Sequence, residues 1–382
     1  MSVLVIDVWI GISEVELMTM CRRNFAWVVQ LVALGYGIVA PPAGGAAFAQ
    51  LPTATGRQFT LSNSAWKLFI PTSYKHRSDN VADLLVHFHG DPQTVWNNAL
   101  YADLNALIVT VNYGGLSSAY SGPFANPALF QSLLDEALTK ARGQRDFAAS
   151  LEWDQLGVSS FSAGYGAVRE ILKSSSYRDS IDALLAADSL YATTSFDGTP
   201  LDSQMVNYKT FASLAQAGEK TFLFSHSDVL TFTYENTKET GDELMQHLGV
   251  SPSRTTADGL GTLDFYRHAK SGNFELWGAE GADGDSHLEH LRYIGEFFAD
   301  LPLAKSSVKL GDFNSDEIVN GLDFLAWQRD TSLGNLADWE ADYGANAALS
   351  VLAVVPEPAS FVLVAAALVC TSTSLISRAN RE

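Results

Sequence analysis

Leu156-Gly157-Val158-Ser159-Ser160 runs into Phe161-Ser162-Ala163-Gly164, and Ala163 to Lys173 then carries helix-like apolar spacing. A short apolar run, a small residue, a serine with a glycine two places on, and a helix together spell a tight strand-to-helix turn. Such a turn lifts one side chain clear of the backbone. Ser162 is therefore read as a nucleophile, and the apolar runs around it decide what scaffold holds it.

Trp66, Leu68 and Ile70 alternate before Pro71. Leu84 to Phe88, Ala106 to Asn112, Leu156 to Ser160, Ala183 to Ala187, Phe222 to Phe224 and Phe274 to Trp277 are short apolar runs. Helix-like segments lie between most of them, at Pro127 to Arg142, Ala163 to Lys173, Glu239 to Leu248 and His287 to Ala299. Strands alternating with helices predict an α/β fold with a mainly parallel sheet and helices on both faces. Ligands of such sheets sit at the carboxyl ends of the strands.

A serine hydroxyl attacks well only when an imidazole takes its proton, and that imidazole needs an acid to fix its tautomer. His287 follows the last apolar run and a glycine- and acid-rich loop, Gly278 to Ser286, and opens the closing helix. His290 is its competitor, three residues on and so on the same helical face. Asp283, Asp285, His287 and His290 also admit a reading as metal ligands, but no matching second cluster accompanies them. Two aspartates qualify as the acid. Asp188 ends the run Ala183 to Ala187, and Asp228 follows the next run in Ser225-His226-Ser227-Asp228. The developing oxyanion needs backbone donors. The Ala163 amide is one, and in His89-Gly90-Asp91-Pro92 the Asp91 amide is the other, since proline has none. His87 and His89 share one strand face and read as structural histidines.

With strand, His89-Gly90, strand, Ser162, acid and His287 in that order, the chain resembles the α/β-hydrolase superfamily of esterases and lipases over roughly residues 55 to 303. The departure is Ser160, where the family's GxSxG has glycine. The resemblance implies acylation of Ser162, a tetrahedral intermediate held by the Asp91 and Ala163 amides, and deacylation by water activated at His287, with no cofactor. Tyr191 to Gly218 and Leu230 to Lys238 exceed plain connections and read as caps over the site. Tyr191, Phe196, Phe232 and Tyr234 are candidates to line an acyl or sugar pocket.

Beyond the hydrolase region, within 304–348, Asp312, Asn314, Asp316, Ile318, Asn320 and Asp323 stand at positions 1, 3, 5, 7, 9 and 12 of a loop, the offsets of calcium ligands. Helix-like Leu322 to Arg329 follows. The segment resembles one repeat of a type I dockerin, with Glu317 where glycine usually makes the turn and no second loop. The resemblance implies bound calcium, a cohesin-like partner and carbohydrate esters as substrates.

The ends read as addresses. Arg22 and Arg23 precede apolar Phe25 to Ala40, and Ala47-Phe48-Ala49 before Gln50 has the form of a secretory cleavage site, so residues 1–49 are an N-terminal extension and signal peptide. Met18 or Met20 reads as the working start. At 355–382, Val355-Pro356-Glu357-Pro358 leads into apolar Ala359 to Ile376, about 18 residues and near membrane-crossing length, followed by Arg378 and Arg381. This tail resembles the PEP-CTERM sorting signal, which implies a terminal apolar helix, a sorting peptidase and an exported, surface-bound or released protein.

Composition agrees with that parse. The 382 residues are 47% hydrophobic and 18% charged, a globular balance. A net charge of -19 repels polyanions and sets nucleic acid aside as a partner. The only cysteines, Cys21 and Cys370, lie in the two address segments, which leaves the body without disulfide or thiol chemistry. The sequence thus reads as an exported serine hydrolase of carboxylic esters, with a serine peptidase and a catalytically idle surface-binding protein as the alternatives.

Overall fold

Strands form where β-branched and aliphatic residues run together and helices where apolar residues recur every three or four positions. The computed structural model describes residues 50–76, 80–306, 311–314, 319–334, 336, 339–340 and 343. The signal segment, the sorting tail, Asp316 and Ile318 lie outside the described residues. The chain divides into two compact units, Met1–Ser306 and Ser307–Glu382.

The first unit is an α/β fold, one large and mainly parallel sheet with helices packed on both faces. Its strands are β1 (Gly56–Thr60), β2 (Trp66–Pro71), β3 (Val81–Phe88), β4 (Ala106–Val111), β5 (Glu152–Phe161), β6 (Ala183–Ala187), β7 (Thr221–His226), β8 (Ser253–Arg254), β9 (Phe265–Ser271) and β10 (Phe274–Ala279). They form one sheet in the order β1-β2-β4-β3-β5-β6-β7-β10-β9-β8. The middle of the sheet, from β4 to β10, is parallel, and antiparallel pairs finish both edges. In the chain's order the helices are α1 (Pro92–Tyr101), α2 (Ser118–Phe124), α3 (Ala128–Arg142), α4 (Tyr165–Ile171), α5 (Ser175–Ser180), α6 (Asp202–Gln216), α7 (Thr237–Leu248), α8 (Gly284–Arg292) and α9 (Gly295–Phe298).

Both faces of the sheet are sealed. Leu84, Val86 and Phe88 of β3 pack with Phe130 and Leu133 of α3, Val168 of α4 and Tyr208 of α6. Leu85 points the other way, into a second core with Trp96 of α1 and Leu291, Ile294 and Phe298 from the closing helices. Burial on both faces explains why β4 is buried at every position and shows no alternation. In β2 the expected alternation is real only on one side, because Phe69 is equally buried and stacks on Trp96 at 4.5 Å.

Two expectations need correction. Tyr191 to Gly218 is not a cap: α6 occupies most of it and buries Met205, Tyr208, Phe211, Ala212 and Ala215 against the sheet. The closing helix is broken, with α8 ending at Arg292 and α9 starting at Gly295. Buried Asn98 of α1 sits at the break, donating to the Arg292 carbonyl at 3.0 Å and accepting from the Gly295 amide at 2.7 Å. A side chain that satisfies both helix ends takes over the hydrogen bonds that a continuous helix would have made.

In the second unit α10 (Gly321–Arg329) starts at Asn320, whose side chain caps it, and Asp323 closes the capping box. Among the described residues no helix is long and apolar enough to cross a membrane.

Candidate active site

Three strand ends carry a residue in the left-handed region that side chains avoid. Ser162 (φ 46°) follows β5, Asp188 (φ 44°) follows β6, and His89 (φ 72°) follows β3. After Ser162 the chain makes one 3₁₀ turn, Ser162–Gly164, and enters α4. Gly164 has to be glycine, because a Cβ there would stand 2.2 Å from the Phe88 carbonyl oxygen. The elbow is thereby pressed against the end of β3. Ser160 suits its place in a way glycine would not: its buried hydroxyl lies 2.8 Å from Ser189 Oγ, which bonds the Ser162 carbonyl at 2.9 Å. The elbow is held from behind by a hydroxyl chain.

His287 lies in the first turn of α8, whose start is capped by Asp283 accepting from the Ser286 amide. Its ring stacks on Phe161, the neighbour of Ser162, with centroids 4.6 Å apart. Its Nδ1 is 2.6 Å from Asp188 Oδ2. Of the two candidate acids, therefore, it is Asp188 that meets the histidine. Asp228 turns elsewhere, accepting from Tyr266 at 2.7 Å and pairing with Lys238 at 2.9 Å.

Asp188 is fully buried and receives four donors. Besides His287 these are the Ser227 amide (3.0 Å) and hydroxyl (2.7 Å) and the Thr237 hydroxyl. Burial alone pushes this carboxyl's pKa up, but the fields of His290 and His287 and the bonds from His287 and Thr237 outweigh it. The net shift is far below the usual carboxylate range, so the group is ionised. Ser227 and Thr237 escaped the sequence reading. The signal available was the start of α7, where Asn236 and Glu239 form a capping box and fix Thr237 at the first helical position.

His290 faces inward, fully buried, with Nδ1 2.8 Å from Ser225 Oγ. Burial holds its pKa down to about 4. Burial and then the neighbouring His287 do the same to His89. His87 is fixed between Ser159 Oγ (3.0 Å) and the His89 carbonyl (2.7 Å), so it steadies the loop His89-Gly90-Asp91 from below. That loop turns at Gly90, where a Cβ would collide with Leu291, and Asp91 caps α1 by accepting from the Thr94 amide. Ala163 follows Ser162 within the 3₁₀ turn.

The aromatic candidates separate. Tyr191 is half-buried, its ring 5.4 Å from Tyr165 and 5.7 Å from Tyr234. Phe196 and Phe232 stand in solvent. The four do not form one pocket.

Comparison with known proteins gives likeness in fold only. No family model matches the chain, and no curated protein does. Among solved structures it is similar to the acylaminoacyl peptidase of Pyrococcus horikoshii, at 15% identity and TM-score 0.36, over 65% of this chain and 40% of that one. It spans well under half of that peptidase. It is also similar to a poly(3-hydroxybutyrate) depolymerase of Bordetella parapertussis (14%, TM-score 0.36, 66% and 92% covered) and to the feruloyl esterase module of Clostridium thermocellum (13%, TM-score 0.35, 68% and 92% covered).

Of the expected calcium ligands, Asp312, Asn314, Asn320 and Asp323 are described. The buried Asp323 carboxylate accepts from the Asn314 amide at 3.1 Å and the Asn320 amide at 2.8 Å. Among the described residues no three His, Cys, Asp or Glu side chains cluster as a metal site. Of the four residues that also admitted a metal reading, Asp283, Asp285, His287 and His290, Asp283 caps a helix and His287 Nδ1 is bound to Asp188.

Proposed function

We propose that the protein is a serine hydrolase of carboxylic esters, with Ser162 as nucleophile, His287 as general base and acid, and Asp188 as the acid that orients it. The observation that carries this is His287, fastened to Asp188 through Nδ1 and lying on the ring of Phe161 beside a serine held at positive φ. With Nδ1 so engaged, Nε2 is the nitrogen left to exchange a proton with the serine.

Ser162 Oγ attacks the ester carbonyl while its proton passes to His287 Nε2. The imidazolium so formed is balanced by ionised Asp188, and the oxyanion is held by the amides of Ala163 and Asp91. Collapse expels the alcohol, which takes the proton from Nε2. Water then attacks the acyl-serine, gives its proton to Nε2, and the second collapse returns that proton to Ser162 and releases the acid. No cofactor enters these steps.

A fluorophosphonate probe tests the assignment. It should label the folded chain at Ser162, and Ser162→Ala should lose both the label and cleavage of 4-nitrophenyl acetate. Label-free wild-type protein, or a variant that still cleaves the ester, rules the mechanism out.

The remaining proposals are export through the N-terminal segment, a sorting peptidase acting at the C-terminal tail, and calcium bound by the loop 312–323 with a cohesin-like partner. The Asp323 carboxylate, drawn back over positions 314 and 320 of the loop, supports the calcium reading, because that is where the twelfth ligand of such a loop must reach. Calorimetric titration of the full chain with calcium should show one saturable site that Asp323→Ala removes.

A further inference from the structure

A cleft of about 440 Å³ runs along α4, lined by residues of α2, α4 and the start of α6. That volume is within the range of small-molecule sites. Its floor is a close helix approach at Gly166, where a Cβ would stand 2.3 Å from the Ser117 carbonyl oxygen. Tyr165 is the wall nearest the elbow, its hydroxyl bonded to Ser117 Oγ at 3.0 Å. Arg169 and Lys173 follow Tyr165 at steps of four and so line the same side.

The chemistry of the walls is mixed in sign. The Arg169 guanidinium lies over the Tyr165 ring at 4.7 Å and donates to the Tyr191 carbonyl, and its buried Nε has no partner. Among the described residues Arg169 pairs with no carboxylate, whereas Lys173 is neutralised by Glu170 at 2.7 Å. Ser121, Ser203 and Gln204 supply hydroxyl and amide groups. Donors and acceptors of both kinds, set close together beside the Tyr165 ring, match a ligand whose every hydroxyl both donates and accepts. An uncharged ligand also meets no opposition from the net charge of -19.

We infer that this cleft is a subsite for an uncharged saccharide portion of the substrate. The inference rests on the ester-hydrolase reading and places the sugar away from the reacting carbonyl. Arg169 is seven residues past Ser162, one 3₁₀ turn and about one α-helical turn further on, roughly 10 to 12 Å along the chain. The cleft therefore receives the part of a glycan that lies beyond the esterified unit.

The test compares mono-O-acetylated xylotriose with ethyl acetate. The wild-type chain should prefer the saccharide ester by about tenfold or more in kcat/KM, the worth of one or two hydrogen bonds, and chiefly through KM. Ser203→Trp, which fills the cleft from its exposed rim, should bring the ratio near one, and Ser203→Ala should keep it. Ser121→Phe fills the cleft from the opposite wall should the first variant fold poorly. Equal rates on the two esters in wild type, or a preference that both filling variants retain, overturns the subsite. Unmodified xylotriose, titrated by saturation-transfer NMR into Ser162→Ala protein, should bind, and failure to bind likewise overturns it. Loss of 4-nitrophenyl acetate cleavage in wild type is a different failure, that of the hydrolase reading.

Discussion

At the scale of single residues, the two aspartates left equal by sequence have different surroundings, and substitution should separate them. Asp188→Asn removes the charge that balances the imidazolium and should lower kcat about 10⁴-fold with KM little changed, by the logic of a triad acid. Asp228→Asn, which touches Tyr266 and Lys238 instead, should keep kcat within about twofold for want of contact with the reacting groups. Equal losses in steady-state kinetics would contradict the assignment. Thr237 acts through Asp188 and is a positioning residue. Thr237→Val should cost about tenfold in kcat, near the worth of one hydrogen bond to a charged group. It should leave KM alone, which separates lost orientation of His287 from lost binding. Thr237→Ser should restore kcat. Ser162 and His287 could be named as candidates from sequence because a local motif and chain order point to them. Thr237 and Ser227 were not, because their partner lies 49 and 39 residues away and only the folded sheet brings them to it.

At the scale of elements, the elbow depends on one missing methyl group. Gly164→Ala puts a Cβ against backbone, which has no flexible end to yield, and should lower the melting temperature by several degrees, about 2 kcal/mol or more. Gly284→Ala, at the first position of α8 with nothing within 4 Å of the added carbon, should raise it slightly, by up to about 1 kcal/mol. Thermal unfolding of the pair checks both signs. The central strands were readable as apolar runs because both their faces are sealed. β9 was not, since Arg267, His268 and Lys270 make it look like a loop until their partners Asp242 and Glu275 are seen. The apolar spacing of α6 was present at Met205, Tyr208, Phe211 and Ala215, but the length of the connection drew the reading toward a cap. No local feature marks the break between α8 and α9, because Asn98 that makes it is far off in the chain.

At the scale of the whole molecule, buried imidazoles govern the response to acid. Burial chiefly holds His87 and His226 down to about 3 and His89 and His290 down to about 4, against an ordinary value of 6.5. Between 6.5 and those values the unfolded chain binds protons that the folded one refuses, so stability rises with pH and is lost as pH falls through the window. Asp188, depressed, adds a loss of the same sign below the ordinary carboxylate range. Glu289, Glu296 and Asp300, pushed up by burial, work in the opposite direction, above the ordinary carboxylate values. Calorimetry at pH 5.5 in buffers of different ionisation enthalpy should register an uptake of about two to four protons on unfolding, and proton release would contradict the burial of these rings. The fastening of Asp188 has a further consequence. Apart from His287, its donors come from the two roots of the connection Ser227–Thr237, while Leu230 and Phe232 at the tip reach only solvent. Segments of other length and composition can be spliced between those roots without disturbing the hydrogen bonds on Asp188, which makes this connection the natural point of entry for redesigning what the proposed hydrolase admits.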